Sequence, residues 1–216
     1  MLGLAKHLFG GYLVGMMMRF LTSFCVAAVL ATAANAEKLS LDEISGYFNR
    51  LKTSEAEFTQ INDDGTISTG KIFIKRPGKM RFEYNPPDSA LVVVGSNEVL
   101  IVDKKSNQMP ESYPLKRTPL SIILANNVDL EREDMVTGHD FDGTATTVTA
   151  QDPEHPEYGS IQLLFTAGPV ELRQWVVNDD SGSQTTIILG EMDRPDNLPN
   201  SLFDVLSLKQ VDSQDR

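Results

Sequence analysis

The hydrophobic period of this chain changes once, from that of a helix to that of a strand, and the change limits the folds open to it. Leu41, Ile44, Phe48 and Leu51 recur at spacings of three, four and three, the stripe of a helix that buries one face. Ser40 just ahead of the stripe and Glu43 three residues on make a capping box that fixes where the helix starts. From Glu55 onward apolar residues alternate with polar ones or form short β-branched runs, broken by turns. Strands are expected to centre on Phe58, Phe73, Phe82, Val93, Leu100, Gln108, Val136, Val148, Leu163, Trp175 and Ile188. The turns Asp63-Asp64-Gly65, Asp142-Gly143 and Asp180-Ser181-Gly182 supply residues that tolerate tight or positive-φ backbone. One helix and eleven short strands predict a mainly β protein, either an antiparallel barrel or a strongly curved sheet.

Residues 1–36 are set apart as a secretory signal. Arg19 precedes an apolar run from Phe20 to Ala31, and Ala34-Asn35-Ala36 supplies the small-x-small pattern for cleavage after Ala36. The run falls short of the roughly 20 apolar residues that span a bilayer. Met16, Met17 and Met18 are alternative starts to Met1. Cys25 follows Phe24 in the middle of the run, where a lipidated cysteine needs a small neighbour, so it is read as part of the signal. The exported chain then begins at Glu37 and contains no cysteine, which leaves its stability to its core. It divides into one domain, 37–208, and a polar tail, 209–216. Lys6 and Arg19 are the only charges removed, which leaves 17 basic against 30 acidic residues and a net charge of −13. That sign argues against nucleic acid and against tight docking on anionic lipid.

One segment breaks the strand rhythm. Thr118-Pro119-Leu120-Ser121-Ile122-Ile123-Leu124-Ala125-Asn126 reads as a helix of about two turns, with Thr118 as N-cap, Pro119 at the first position and Asn126 as terminator. It is apolar nearly all round, so it either plugs the end of a barrel or forms a lid whose inner face meets a ligand.

Constellations for catalysis are thin. The exported chain has only His139 and His155, and it lacks HExxH, GxSxG, Walker and dinucleotide fingerprints. Asp140-Phe141-Asp142-Gly143 imitates a piece of a calcium loop without its remaining ligands and reads as a hairpin turn. Glu131, Glu133 and Asp134 read as a solvated edge. Neither an enzymatic activity nor a cofactor or metal is expected. Arg76 is the polar residue that stands out, at a strand end before a Pro-Gly turn.

Lys75-Arg76-Pro77, the strand Met80-Arg81-Phe82-Glu83-Tyr84 and the helix start Thr118-Pro119-Leu120 occur in the order found in the LolA family, which this chain resembles from Phe58-Thr59-Gln60 to Leu202-Phe203. The resemblance implies an incomplete, half-open antiparallel β-barrel whose open side is covered by helices, with Pro119–Ala125 as one lid. It implies that Arg76 bonds to backbone carbonyls near Leu124 to Asn126 and holds the lid shut. It also implies a monomeric periplasmic carrier. Its cargo is acylated lipoproteins, its donor an inner-membrane lipoprotein-releasing ABC complex, and its acceptor at the outer membrane is LolB-like or unknown. Met80, Phe82, Tyr84, Leu120, Ile123 and Leu124 are the side chains expected to line the acyl-chain cavity; strand alternation puts the first three on one face and Arg81 and Glu83 on the other. The chain departs from the family pattern at Arg81 and Glu83 and, more loosely, from Asp152 to Gly159. The competing reading is a periplasmic lipid-binding sensor on the same half-barrel.

Overall fold

The Ser40 cap sets the first element. Its hydroxyl accepts the Glu43 amide at 3.2 Å, and its own amide donates to the Glu43 carboxylate at 2.8 Å, so the capping box holds α1 (Leu41–Arg50) at its start. Ile44, Tyr47 and Phe48 face inward. The structure, a computed structural model, describes residues 37–103, 105, 109–132 and 134–214, without the side chains of 211–214. The signal segment 1–36 and the sites at Gln108 and Glu133 lie outside the described residues.

Eleven strands follow: β1 (Thr53–Ile61), β2 (Ile67–Lys75), β3 (Lys79–Tyr84), β4 (Ala90–Gly95), β5 (Glu98–Asp103), β6 (Glu111–Pro114), β7 (Val136–Phe141), β8 (Ala145–Gln151), β9 (Ser160–Thr166), β10 (Glu171–Asn178) and β11 (Gln184–Leu189). They form one antiparallel sheet in the order β6-β5-β4-β3-β2-β1-β11-β10-β9-β8-β7. Hairpins run outward on both sides of the β1–β11 pair, and β6 and β7 are left as edges. The fold is therefore the mainly β, unclosed antiparallel sheet of eleven strands with few short helices that was expected. Ten of the eleven expected centres fall inside strands; the sixth strand begins at Glu111, beyond Gln108.

Alternation sends Phe58, Ile72, Ile74, Met80, Phe82, Leu163 and Phe165 to one face, where they meet α1 and α2 (Leu120–Leu124) in a single core. Trp175 joins them although it lies three residues after Leu172, because the register shifts between Leu172 and Gln174.

The other face carries a smaller core, in which Leu91, Val93 and Leu100 close around Val205. A C-terminal arm brings Val205 there. Thr53 donates to the Pro195 carbonyl, Lys75 to that of Leu198 at 2.6 Å, Lys79 to the Asn200 side chain at 3.0 Å and Arg81 to the Leu202 carbonyl at 2.9 Å. The arm thus crosses β1, β2 and β3 before α3 (Val205–Gln214). The boundary placed at 208 falls inside α3, and Lys209, expected in a tail, pairs with Glu98 at 2.7 Å. Val205, with Leu208 packed beside it, and the Lys209–Glu98 pair are the contacts that hold the helix against β4 and β5.

Gly95 lies under this arm, and a Cβ on it would run into the Phe203 carbonyl. Gly143 has φ +96° with open space around it, so a side chain there meets only backbone strain. Gly95→Ala is expected to cost about 1–3 kcal/mol by overpacking, and Gly143→Ala about 1 kcal/mol from placing a side chain at positive φ. Denaturant unfolding checks this, and a smaller loss at Gly95 than at Gly143 would show that the arm does not press on β4.

Candidate functional site

The turn between β2 and β3 grips the end of α2 twice. Gly78, at φ +69°, donates its amide to the Leu124 carbonyl at 2.9 Å, and Arg76 donates Nη2 to the Ala125 carbonyl at 2.5 Å. The last carbonyls of a helix have no partner within it, so the turn supplies what α2 lacks. Arg76 is itself held by its amide, which donates to the Lys52 carbonyl at 2.8 Å. Its guanidinium carbon sits 5.8 Å from the centre of the Phe48 ring. Only 8% of Arg76 is exposed, and burial pushes its pKa below the ordinary arginine value, although an arginine still carries its charge at neutral pH. Nε of Arg76 is buried with no partner.

The helix differs from its expected form. Thr118 does not cap it: the Thr118 hydroxyl donates back to the Leu115 carbonyl at 2.8 Å, because Leu115–Arg117 already forms a 3-10 turn ahead of it. Pro119 occupies the cap position without a side-chain bond, and the helix is five residues long. It ends at Ala125 in extended backbone, one residue before the expected terminator Asn126. Past the helix, the chain is stitched to α1. Asn49 donates to the Val128 carbonyl and accepts the Val128 amide, both at 2.9 Å, and the Ser45 hydroxyl accepts the Leu130 amide at 3.0 Å.

All six expected lining residues join the same core. Met80 is 0% exposed, Ile123 and Leu124 are each 2% exposed, and Tyr84 and Leu120 are half-buried. Burial of this degree means that the walls meet one another and leave little open space around Met80, Ile123 and Leu124. Apolar walls gain dispersion contacts by meeting one another, and Phe58, Phe82 and Trp175 do so edge to face at 5.3 and 6.4 Å. Where this core ends, a groove of about 480 Å³ continues past Tyr84, Gln60, Val92 and Ile101 and is lined as well by Asp88, Asp103 and Lys105. A larger recess of about 530 Å³ lies elsewhere, between Tyr47, Arg50, Glu171 and Arg194; its charged rim suits water better than hydrocarbon.

The remaining candidates have local roles. His139 Nε2 lies 2.8 Å from the Leu39 carbonyl, and His155 pairs with Glu157 at 3.0 Å and stacks on Tyr158. Asp142 accepts the Thr144 and Ala145 amides at 2.8 Å each, as a hairpin turn requires. Sequence reasoning missed Gly78, Asn49 and Ser45. Of these, only Gly78 carried a local signal, its place in a Pro-Gly turn.

Residues 49–205 match the family model described as outer membrane lipoprotein carrier protein LolA. The chain belongs to this family. The outer-membrane lipoprotein carrier protein of Cupriavidus necator is 26% identical to it, over 82% of this chain and 88% of its own length. The corresponding protein of Methylobacillus flagellatus is also 26% identical, over 86% and 94%. A solved structure of a putative outer membrane lipoprotein-sorting protein domain from Vibrio parahaemolyticus is 8% identical and covers 80% of this chain and 98% of its own, with a TM-score of 0.46. The LolA match takes in Arg76, Gly78, the whole of α2 and every expected lining residue.

At the groove end of the LolA core, the Tyr84 hydroxyl donates to Gln60 Oε1 at 2.7 Å, while burial pushes its pKa up to about 12. An unfolded tyrosine ionises near pH 10. A folded pKa above the unfolded one makes the folded state hold the proton longer, so this contribution is full below about pH 10 and is lost as the pH rises towards 12. Tyr84→Phe is expected to flatten the fall in stability across that window, as measured by urea unfolding at successive pH values; an unchanged slope would mean that Tyr84 is freely solvated.

Proposed function

We propose that this chain is a periplasmic carrier that takes up the acyl chains of lipoproteins between the sheet and α2 and transfers them from the inner to the outer membrane. The observation that carries the reading is the grip of Arg76 and Gly78 on the last carbonyls of a short apolar helix lying over an apolar sheet face. Membership of the LolA family and relatives named outer-membrane lipoprotein carrier proteins support it. The rest of the reading is a signal cleaved after Ala36, an inner-membrane ABC complex as donor, an outer-membrane acceptor, LolB-like or otherwise, and a monomeric carrier that performs no covalent chemistry.

The energetics suit such a task. Exposing a methylene to water costs about 0.8 kcal/mol, so a chain of about sixteen carbons costs on the order of 12 kcal/mol and does not cross water unaided. Hydrogen bonds from a charged group such as Arg76 are worth roughly 1.5–3 kcal/mol each. The grip is therefore strong enough to favour the closed form and weak beside the burial of one acyl chain. Cargo entering under α2 breaks the grip, and its re-formation at the acceptor helps to expel the cargo.

Arg76→Leu should fold and load, yet retain its cargo when offered acceptor membranes. A transfer assay with lipoprotein-loaded carrier reads this directly, and wild-type release by the variant would remove Arg76 from the cycle. Native mass spectrometry of carrier taken from the periplasm should show a co-purifying triacylated protein; a phospholipid in its place would favour a lipid sensor.

A further inference from the structure

Four polar residues are recorded as buried among the described residues: Ser45, Ser54, Arg76 and Thr146. Two are satisfied, Ser45 by the Leu130 amide at 3.0 Å and Thr146 by the Leu39 amide at 2.9 Å. The other two each keep an unpartnered buried atom, Oγ of Ser54 and Nε of Arg76. Buried polar groups are otherwise almost always paired, so two orphans in one place call for a partner.

Register puts them in one place. Ser54 stands opposite Ile74 across β1 and β2, and Arg76 follows Ile74 by two residues, with its amide continuing the ladder to the Lys52 carbonyl at 2.8 Å. Residues in this diagonal relation share a face and lie roughly 7–8 Å apart. Ser54 is 1% exposed and Arg76 8%, and Arg76 reaches from this spot to the end of α2 at the Ala125 carbonyl. Nε–H of arginine can only donate, and a serine hydroxyl can donate as well. Two donors in apolar surroundings suit a single oxygen with two free lone pairs.

We propose that Ser54 and Arg76 form a receptor for an acyl carbonyl oxygen, the one polar atom that every ester- or amide-linked fatty chain brings with it. The proposal rests on the carrier reading and adds a polar subsite to it. While α2 is shut, the guanidinium is committed to Ala125 through Nη2; displacement of the helix frees it to turn, together with the serine, towards the head of an incoming chain. The subsite sets the depth at which the chain stops, and it prefers acyl chains over plain hydrocarbon of equal length.

The test compares two synthetic lipopeptides with identical chains, one a diacylglyceryl ester and the other its dialkyl ether, which lacks the carbonyls. Calorimetric titration of the full-length exported protein should give about tenfold tighter binding of the ester, the worth of one good hydrogen bond. In Ser54→Ala that ratio should fall to about threefold or less, while the unliganded variant melts no lower than wild type because its lost hydroxyl had no partner. An ester-to-ether ratio unchanged by the substitution would overturn the subsite, and so would a marked drop in the melting temperature, which would reveal an existing partner such as bound water. A diester phospholipid and its ether analogue, run in parallel, separate the two sources of carbonyl: a preference confined to the lipopeptide assigns the subsite to lipoprotein cargo, and one seen in both assigns it to acyl carbonyls in general. If neither lipopeptide binds wild type, the carrier reading itself fails and takes the subsite with it.

Discussion

An apolar sheet face that is left open has to be covered, and the cover has to have its own backbone satisfied. α2 meets the first need with Ile122, Ile123 and Leu124, all buried, and fails the second, because a helix of five residues satisfies few of its own carbonyls. The β2–β3 turn completes it from outside through Arg76 and Gly78. The same contacts that let the cover exist as a helix therefore fasten it to the sheet. A longer helix with its own C-cap would need no such fastening and would respond less to events at Arg76.

The two faces of the sheet are closed by different means, and the difference assigns them different roles. On the second face, four side chains and carbonyls of the arm take bonds from Thr53, Lys75, Lys79 and Arg81 across three strands, and Val205 fills a core of its own. Cooperative attachment at many points resists partial opening. On the first face, α2 is held by two bonds at one end, and the segment beyond it is tied to α1 through Asn49 and Ser45. The short stretch of α2 is thus tied down at fewer points than the arm on the opposite face.

Much of this was legible in the sequence because it follows from local rules. The capping box at Ser40 and Glu43, the two-residue period of β1 to β5 and the glycines at φ +80°, +96° and +84° in Gly65, Gly143 and Gly182 are settled by neighbours in the chain. The partner of Arg76 within one residue, and the common face of Met80, Phe82 and Tyr84, came from the family resemblance and from alternation. What escaped depends on contacts distant in sequence. Thr118 has the right chemistry for a cap, yet a preceding 3-10 turn took its hydroxyl. The polar stretch after 208 continues a helix that docks through Val205 and through Lys209, which reaches Glu98, 111 residues earlier. Ser54 looks like any other strand serine until its register sets it diagonally across from a buried arginine.

The closed core also limits how a chain can enter. Met80, Ile123 and Leu124 are almost wholly buried against their neighbours, so under the proposed carrier reading a guest exchanges its own apolar contacts for those between α2 and the sheet. Such an exchange is nearly balanced in buried area, since each wall loses one apolar neighbour and gains another. The net preference is then set by terms that do not cancel: the water-exposed surface of the guest, the grip at Arg76 and any polar atom the guest supplies to Ser54. Under that reading, burial of the guest's surface is the large term that keeps acyl chains out of water, and the smaller terms at Arg76 and Ser54 adjust how readily a membrane or acceptor takes them over.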